Sequence, residues 1–357
     1  MLKSFSVKNF RSLRDFEIHN LARVNLIVGD NDVGKTALIE AFFTHLVQGN
    51  ILALVQLKGF RRSPFVADES CWDDFFNKFD TSRDIELASI DARSIDRTSK
   101  ISVGRKTQMN VVVPPVSGAN VEGQQRVFAA AATYRPLKVE FKVGSTKQPF
   151  SNELTFDPQK RTFTQVAEFS PDTNSFYFST AGPPELEGLV RNLSNILVSK
   201  KQSDVIALGK TIDANIQGLS VASPKGLPEV FVDTGESTLT HLTLFGSGVV
   251  RAIGIGSAIP ANQGGVVLVD EIETGIYFSR LGEFWRTIFE MAKKDDVQVI
   301  VTSHSDECVQ AAIETVAPDI ADSDPLHVYK IVPHRNRPIP YERASLKSAA
   351  EMLADLR

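Results

Sequence analysis

One loop near the start of this 357-residue chain constrains its fold more than any other stretch. Residues 29–36 have the form G-x-x-x-x-G-K-T and follow the β-favouring run at residues 24–28. A helical pattern begins directly after the loop, at Ala37. A strand, a glycine-bounded loop and a helix in this order are the context that a phosphate-binding P-loop requires. The spacing therefore predicts an α/β fold built around this loop.

The residue types in the loop match the chemistry of polyphosphate binding. Backbone N–H groups of a loop wrapped over a helix N-terminus, together with the helix dipole, supply converging donors. Gly29 and Gly34 permit tight turns and a close approach of the backbone. Lys35 is predicted to reach the β- and γ-phosphates, and the Thr36 hydroxyl to be a ligand of Mg²⁺. A glycine turn ahead of an ordinary helix is the alternative, and the flanking strand and helix count against it.

Composition sets the class of protein. With 42% hydrophobic residues the chain can bury a substantial core, as one large α/β domain with insertions or as two domains. Lys and Arg total 39 against 43 for Asp and Glu, so any DNA contact would have to be local. We expect no signal peptide and no membrane span, because neither kind of apolar stretch occurs. Two cysteines, Cys71 and Cys308, form neither a disulfide framework nor a zinc set, which favours a cytoplasmic location.

The order of the predicted elements narrows the fold class. Residues 2–7 and 15–19 read as two strands that pair back on each other before the P-loop strand. This layout is typical of an ATP-binding-cassette head, whereas in nucleotide kinases the P-loop strand usually comes first. Short β-rich runs between residues 84 and 178 predict a mainly antiparallel segment, and apolar spacing from about residue 185 to 216 predicts helices. The helical part is too short for a long coiled coil.

These patterns divide the chain into four predicted parts. Residues 1–83 form an N-terminal lobe with the P-loop, and residues 84–182 form a β-rich segment. Residues 183–225 form a helical subdomain, and residues 226–357 form a C-terminal lobe.

Two strands in the last third end in side chains that suit nucleotide chemistry. The apolar run at residues 266–269 predicts a buried parallel strand whose carboxyl end presents Asp270 and Glu271. Asp270 is placed to hold Mg²⁺ through water, and Glu271 to polarise an attacking water. A second such strand ends at Thr-Ser-His, where His304 can contact the γ-phosphate or the water. Taken singly, Asp270 reads as a loop carboxylate and His304 as a capping residue, so their order along the chain carries the prediction.

A small-residue cluster, Gly246-Ser247-Gly248, opens another predicted helix. Backbone N–H groups and the dipole at such a helix start form an anion site. On its own this cluster is weak evidence for an anion site, because a Gly-Ser-Gly turn before a helix is common.

The succession of motifs resembles the ABC-type ATPases of the RecF, SMC and OLD group. The motifs are Asn9-Phe10-Arg11-Ser12, residues 29–36, Gly246-Ser247-Gly248, residues 266–276 and Thr302-Ser303-His304-Ser305. The chain is most similar to the compact prokaryotic members labelled "AAA family ATPase". The resemblance implies an α/β ABC-ATPase head (a P-loop NTPase) with an N-terminal antiparallel β part, an inserted β-rich segment, a short helical subdomain and no long coiled coil.

The resemblance also implies the roles of the site residues. ATP would be bound by Arg11, Gly29, Asn31, Asp32, Val33, Gly34, Lys35, Thr36 and Ala37. Thr36 and Asp270 would hold Mg²⁺, Glu271 would be the hydrolytic base and His304 the switch residue. Gly246, Ser247 and Gly248 would be the signature segment, which meets the γ-phosphate held by a second subunit. The expected assembly is a head-to-tail homodimer or a higher homo-oligomer.

Two positions depart from the pattern of the resembled group, and its Q-loop glutamine has no clear counterpart. Asp32 stands where the larger family prefers glycine, and Tyr277 stands where those relatives usually place histidine. The nearest candidate for the Q-loop glutamine is Gln56, which is also compatible with a surface position. These departures are compatible with slow turnover.

Three functions follow from the resemblance. The first is a dimeric ATPase that acts as a sensor in prokaryotic antiviral defence and controls a separately encoded effector, a nuclease or a toxin. The second is a RecF-like repair or maintenance ATPase, with Arg61, Arg62, Arg105 and Lys106 as scattered candidates for DNA contact. The third is an oligomeric scaffold that ATP holds together with little turnover. Only about fifty residues follow His304, so we expect any cutting or toxic activity to lie in a partner.

Overall fold

A computed structural model describes most of the chain. It covers residues 1–61, 70–105, 107–113, 128–146, 148–157, 162–167, 175–179, 186–224, 226–316 and 326–341. Arg62 and Lys106, two of the predicted DNA contacts, lie outside these residues.

The described residues form eighteen strands and seven α-helices. The strands are β1 (Leu2–Phe10), β2 (Leu13–His19), β3 (Val24–Val28), β4 (Ile85–Asp91), β5 (Asp96–Val103), β6 (Thr107–Val113), β7 (Phe128–Tyr134), β8 (Leu137–Val143), β9 (Phe150–Asp157), β10 (Thr162–Ala167), β11 (Ser175–Phe178), β12 (Gly218–Ala222), β13 (Glu229–Asp233), β14 (Thr240–His241), β15 (Val266–Val269), β16 (Gln298–Thr302), β17 (Leu326–Lys330) and β18 (Ile339–Tyr341). The helices are α1 (Lys35–Leu46), α2 (Leu52–Phe60), α3 (Leu186–Val198), α4 (Gln202–Ile212), α5 (Ser247–Ala261), α6 (Leu281–Lys294) and α7 (Asp306–Thr315).

The P-loop strand β3 lies inside a six-stranded sheet with the order β11-β15-β16-β3-β17-β18. All neighbouring strands are parallel except β18, which runs antiparallel to β17. Every residue of β3, β15 and β16 is buried, as expected of strands covered on both faces. The predicted parallel strands before Asp270 and before His304 are therefore neighbours in one sheet, and their carboxyl ends meet at one edge.

Two strands of this sheet differ from the sequence prediction. β17 pairs with β3 on the side opposite β16, and no strand was predicted there. β11 was assigned to the mainly antiparallel segment, but it pairs parallel with β15. A strand of four or five residues carries no periodicity that identifies its neighbour, which is why its place in a sheet follows from tertiary packing.

A second sheet is antiparallel and has the strand order β10-β9-β8-β5-β4-β1-β2. β1 pairs with β2, as predicted, and its other edge pairs with β4. The predicted boundary between residues 83 and 84 therefore lies between strands of a single sheet. The N-terminal antiparallel part and the inserted β-rich segment form one continuous layer.

Helix α1 is packed between the two sheets. Its residues Leu38, Ile39 and Phe42 are fully buried, in one cluster with Phe5 of β1 and Ile300 of β16. The rings of Phe5 and Phe42 stack with their centroids 4.1 Å apart. The helix that follows the P-loop is thus fixed by apolar contacts on both sides.

The opposite face of the six-stranded sheet packs against α5, α6 and α7. A third cluster joins α3, α4 and α5 to the small sheet β12-β13-β14, and α3 and α4 are the predicted helical subdomain. The described residues include no helix long and apolar enough to cross a membrane.

The parallel sheet around the P-loop strand, the antiparallel sheet and the helices together form the α/β head predicted from the sequence, so that prediction is confirmed.

Candidate active site

The loop between β3 and α1 has the backbone conformation that a P-loop needs. Gly29 and Gly34 have φ angles of 139° and 103°, in the left-handed region that favours glycine. A Cβ atom on Gly29 would lie 2.6 Å from the Ile331 carbonyl oxygen, directly after β17. Asp32 also has a positive φ, of 63°, and a short polar side chain tolerates this conformation. The departure from glycine at Asp32 is therefore accommodated.

Helix α1 begins at Lys35 with its N-terminus free of internal caps. Gly34 is the N-cap residue, no side chain caps the helix, and its first turn contains no acidic residue. The first N–H groups of a helix have no partner within the helix, and they favour an anion. A phosphate group fits this helix start.

The Lys35 side chain folds back over the loop. Its Nζ donates to the carbonyl oxygens of Gly29 (2.7 Å) and Asp30 (2.8 Å). Burial lowers the pKa of Lys35, while the carboxylates of Glu271 and Asp270 oppose this shift. An ammonium group has three donors, so one remains for a phosphate oxygen.

Asp270 lies beside the start of α1. The Thr36 hydroxyl lies 3.1 Å from Asp270 Oδ2, and the Thr302 hydroxyl lies 2.6 Å from Oδ1. A threonine hydroxyl and a carboxylate at this spacing are hard oxygen donors, which Mg²⁺ prefers. Thr36 and Asp270 therefore fit a magnesium ion.

Glu271 follows Asp270 in a left-handed backbone conformation with φ of 48°. Its N–H donates to the Thr302 hydroxyl at 2.8 Å, and its side chain is 39% exposed on the cleft. The Thr302 hydroxyl thus donates to one carboxylate residue and accepts from the backbone of the next. A non-glycine residue with positive φ is uncommon and persists where surrounding contacts hold it.

Glu273 positions His304. Glu273 Oε1 accepts from the His304 backbone N–H at 2.9 Å and lies 3.1 Å from its ring Nδ1. The same Nδ1 is 3.9 Å from Glu271 Oε1. The sequence prediction gave Glu273 no role, although its place two residues after Glu271 was a usable signal. A histidine held by a buried carboxylate is oriented and biased toward one tautomer.

Arg11 and Arg61 meet at a buried carboxylate on α1. Arg61 Nε and Nη2 donate to the two carboxylate oxygens of Glu40 at 2.7 and 2.9 Å. Arg11 Nε lies 2.7 Å from Glu40 Oε2, and its guanidinium lies 4.8 Å from the centroid of the Phe75 ring. Arg11 Nη2 has no hydrogen-bond partner in the described part of the chain. Arg61, a candidate for DNA contact, is thus bound to Glu40.

One cleft of about 1350 Å³ joins most of the predicted residues. Its lining includes Arg11, Asn31, Asp32, Gly34, Lys35, Thr36, Ala37, Asp270, Glu271 and His304. Gly29 lines a smaller adjoining pocket with Asn31 and His304, and Val33 packs against the core. Gln56 is exposed on α2 and is not among the lining residues.

The Gly246-Ser247-Gly248 segment lies elsewhere. It begins α5, and it is not among the described residues that line the cleft. A Cβ atom on Gly248 would overlap the carbonyl oxygen of Gly275, so the two loops are in direct backbone contact. Gly246 and Ser247 are exposed, as are Leu244 and Tyr277. The predicted signature is therefore at the surface, away from the cleft of its own chain.

Arg251, four residues into α5, connects this helix to the two carboxylates. Its Nη2 donates to the backbone carbonyl of Asp270 and, at 2.8 Å, to that of Glu271. The guanidinium lies over the Phe178 ring, 4.9 Å from its centroid. Burial lowers the pKa of Arg251 to about 10. The sequence contained no signal for this contact, which joins residues nineteen and twenty positions apart.

Comparisons with known proteins identify two ATPase families and one related phosphatase. The family described as "AAA ATPase domain" matches residues 1–103, and that described as "AAA domain, putative AbiEii toxin, Type IV TA system" matches residues 144–309. The chain is an AAA-family ATPase. An "ATP/GTP phosphatase" of Helicobacter pylori is 21% identical over 339 residues, which cover 87% of each chain.

Solved structures similar to this AAA-family ATPase include two SMC heads. One is the SmcHead bound to the C-winged helix domain of ScpA, with 12% identity, coverage of 97% and 99% of the two chains and a TM-score of 0.49. The other is an Smc head domain with an extended coiled coil bound to the C-terminal domain of ScpA, derived from Pyrococcus furiosus. It has 12% identity, coverage of 100% and 99% and a TM-score of 0.43.

Proposed function

We propose that this AAA-family ATPase binds ATP with Mg²⁺ in the P-loop cleft and uses Glu271 as the hydrolytic base. The observation that carries the proposal is the convergence of Lys35, Asp270, Glu271 and His304 on one cleft. Lys35 and the N–H groups at the start of α1 bind the phosphates, while Thr36 and Asp270 hold the metal ion. Mg²⁺, when bound, would neutralise charge on the β- and γ-phosphate oxygens.

The water that attacks the γ-phosphate must lose a proton. In the proposal the Glu271 carboxylate accepts this proton, and its position depends on the Thr302 hydroxyl that holds its backbone. His304, oriented by Glu273, meets the γ-phosphate. Arg11 Nη2, a buried donor at the cleft wall, is available to a nucleotide oxygen.

The active assembly in this proposal is a head-to-tail homodimer. The Gly246-Ser247-Gly248 segment of one copy, in which Gly246 and Ser247 are exposed, completes the cleft of the other, so that each nucleotide lies between two chains. The exposure of Leu244 (77%), Tyr277 (66%) and Phe278 (60%) beside this segment supports a covered interface. ATP would favour the closed dimer, and hydrolysis would release it.

The biological role that we propose is nucleotide-dependent control of a separate effector in prokaryotic antiviral defence. The family description that includes a putative AbiEii toxin and a type IV toxin–antitoxin system supports this setting. The ATP/GTP phosphatase relative supports GTP as a second substrate. A population shift between open and closed dimers would hold or free the effector.

Two variants test the hydrolytic site. We expect Lys35→Ala to abolish ATP binding, because the phosphates lose their nearest cation. We expect Glu271→Gln to keep binding but to lower the hydrolysis rate by about 10² to 10⁴, the range for removal of a general base. Calorimetry measures binding, and phosphate release measures turnover.

Glu290→Gln is the matched control, since Glu290 is an exposed carboxylate on α6. This variant should hydrolyse ATP at the wild-type rate. A Glu271→Gln protein with wild-type turnover would exclude Glu271 as the base.

A further inference from the structure

Phe79 is an exposed aromatic residue on the wall of the P-loop cleft. Its side chain is 69% exposed, whereas the neighbouring rings of Phe10, Phe75 and Phe76 are buried. Among the described residues that line the cleft, Phe76 and Phe79 carry phenyl rings, and only the Phe79 ring is exposed. An exposed ring in an otherwise polar cleft is available to a planar ligand.

The backbone holds Phe79 in an uncommon conformation. Phe79 and the preceding Lys78 have φ angles of 60° and 53°, which bulky L-residues rarely adopt. The Phe79 N–H donates to the Phe76 carbonyl at 3.0 Å, and the next turn closes from Thr81 to the Phe79 carbonyl at 3.1 Å. Strain of this kind persists where surrounding contacts fix it, and it clusters at functional sites.

Those surrounding contacts tie Phe79 to the phosphate loop through the turn between β1 and β2. The Arg11 N–H donates to the Phe75 carbonyl at 2.8 Å, and Asn77 Nδ2 donates to the Arg11 carbonyl at 2.6 Å. At the other side of this turn, Ser12 Oγ is 3.0 Å from the position of a Cβ on Gly34. The turn therefore contacts the P-loop on one side and the segment that carries Phe79 on the other. Together they form one wall of the cleft.

Two polar side chains of this wall already have partners. Asp74 Oδ1 is 3.0 Å from Lys58 Nζ, and Arg61 donates both of its bonds to Glu40. The atoms that make these contacts are therefore not available to the edge of a base. Recognition by Phe79 alone would use the flat face, which every nucleobase has.

We propose that Phe79 is the platform on which the nucleobase of the bound nucleotide stacks. This inference rests on the proposed function, because it requires the triphosphate to lie on the P-loop. Because Phe79 contacts the flat face of the base, the site accepts ATP and GTP with similar affinity. The ring contributes to nucleotide binding and makes no contact with the triphosphate.

The test compares Mg-ATP, Mg-GTP and Mg-tripolyphosphate, which has the phosphates but no base. Calorimetry on the full chain measures the three affinities for the wild type, Phe79→Ala and Phe79→Trp. We expect Phe79→Ala to weaken ATP and GTP binding by about tenfold or more, the size of one lost base stack, and to leave tripolyphosphate unchanged. Phe79→Trp should bind both nucleotides at least as tightly as the wild type.

Leu227→Ala is the control, since Leu227 is 74% exposed in a loop away from the cleft lining. Equal loss of tripolyphosphate binding in Phe79→Ala would indicate a structural effect and overturn the proposal, as would unchanged ATP binding. A wild-type preference of tenfold or more for one purine would overturn recognition by stacking alone. If the wild type binds none of the three ligands, the proposed function fails, and this inference fails with it.

Discussion

At the scale of single residues, His45 shows how the P-loop helix depends on a buried polar contact. Its Nδ1 is 2.8 Å from Ser99 Oγ and its Nε2 is 2.8 Å from Ser89 Oγ, so α1 is bonded to β5 and β4. Burial lowers the pKa of His45 to about 3, and the nearby Arg97 charge adds to this shift. The imidazole is therefore neutral in the folded protein at neutral pH.

The pKa of His45 predicts a loss of stability in acid. As the pH falls below about 6.5, His45 becomes protonated in the unfolded chain but stays neutral in the folded chain. Unfolding therefore becomes more favourable. This difference in protonation lowers the free energy of unfolding by about 1.4 kcal/mol per pH unit between pH 6.5 and 3. Denaturant unfolding at pH 7.5 and 5.5 measures it.

His45→Gln is the matched variant, because an amide can bond to both serines without titrating. We expect the free-energy gap between the wild type and this variant to change by about 1.4 kcal/mol in favour of the variant at pH 5.5. A gap that is independent of pH would contradict the assignment.

The sequence predicted those site residues that belong to a short continuous motif. Lys35 and Thr36 are fixed by the loop motif, and Asp270 and Glu271 by the end of an apolar strand. The contacts of Arg61 with Glu40 and of His304 with Glu273 join residues 21 and 31 positions apart. No sequence period links such pairs, because the packing of sheets and helices decides them.

At the scale of elements, α5 connects the predicted signature to the carboxylate residues. Arg251 donates from this helix to the carbonyls of Asp270 and Glu271, and it is a positioning residue for Glu271. We expect Arg251→Met to lower the rate of hydrolysis by about ten- to a hundredfold, the effect of losing a charged hydrogen bond. Nucleotide affinity should change by less than about threefold, since Arg251 does not line the cleft.

Steady-state kinetics and calorimetry separate these two effects. Arg286→Met is the control, because Arg286 is exposed on α6 and should be silent. Arg251→Lys should recover part of the rate, since a positively charged donor group remains. Equal losses of rate and affinity in Arg251→Met would point to general destabilisation instead.

The sequence predicted helices correctly where the apolar spacing was repeated over many residues. It predicted strands correctly where a short apolar run was bounded by turns. The pairing of β1 with β2, the helices α3 and α4, and the strands β15 and β16 follow the predicted pattern. β17 was missed, although Ile331, the residue directly after it, packs against Gly29. Its Leu-His-Val-Tyr-Lys sequence mixes apolar and polar residues and gives no clear signal, yet four of its five residues are buried by the sheet.

At the scale of the whole molecule, the head-to-tail dimer predicts complementation between two inactive variants. Lys35→Ala removes the phosphate site, and Ser247→Arg blocks the exposed signature. A mixed dimer of the two contains one site with both defects and one intact site. We expect an equimolar mixture to recover up to about a quarter of the wild-type activity, because half of the dimers are mixed and each has one intact site of two.

Ser199→Arg serves as the control, since Ser199 is exposed at the end of α3 and should leave activity unchanged. Ser247→Arg that remains active alone would contradict the proposed role of the signature. Size measurements on Glu271→Gln with and without ATP add an independent readout. A wild type that assembles like this variant and hydrolyses nothing would favour the scaffold function.

Helix α1 has little contact with solvent, since ten of its twelve residues are buried. A helix enclosed between two sheets offers few positions where random variation is silent. Saturation mutagenesis should therefore find few tolerated substitutions along this helix, even in the turns that are remote from the phosphates. Attempts to graft a fluorophore or an affinity tag near the nucleotide would do better on the rim of the cleft than on the helix that carries Lys35.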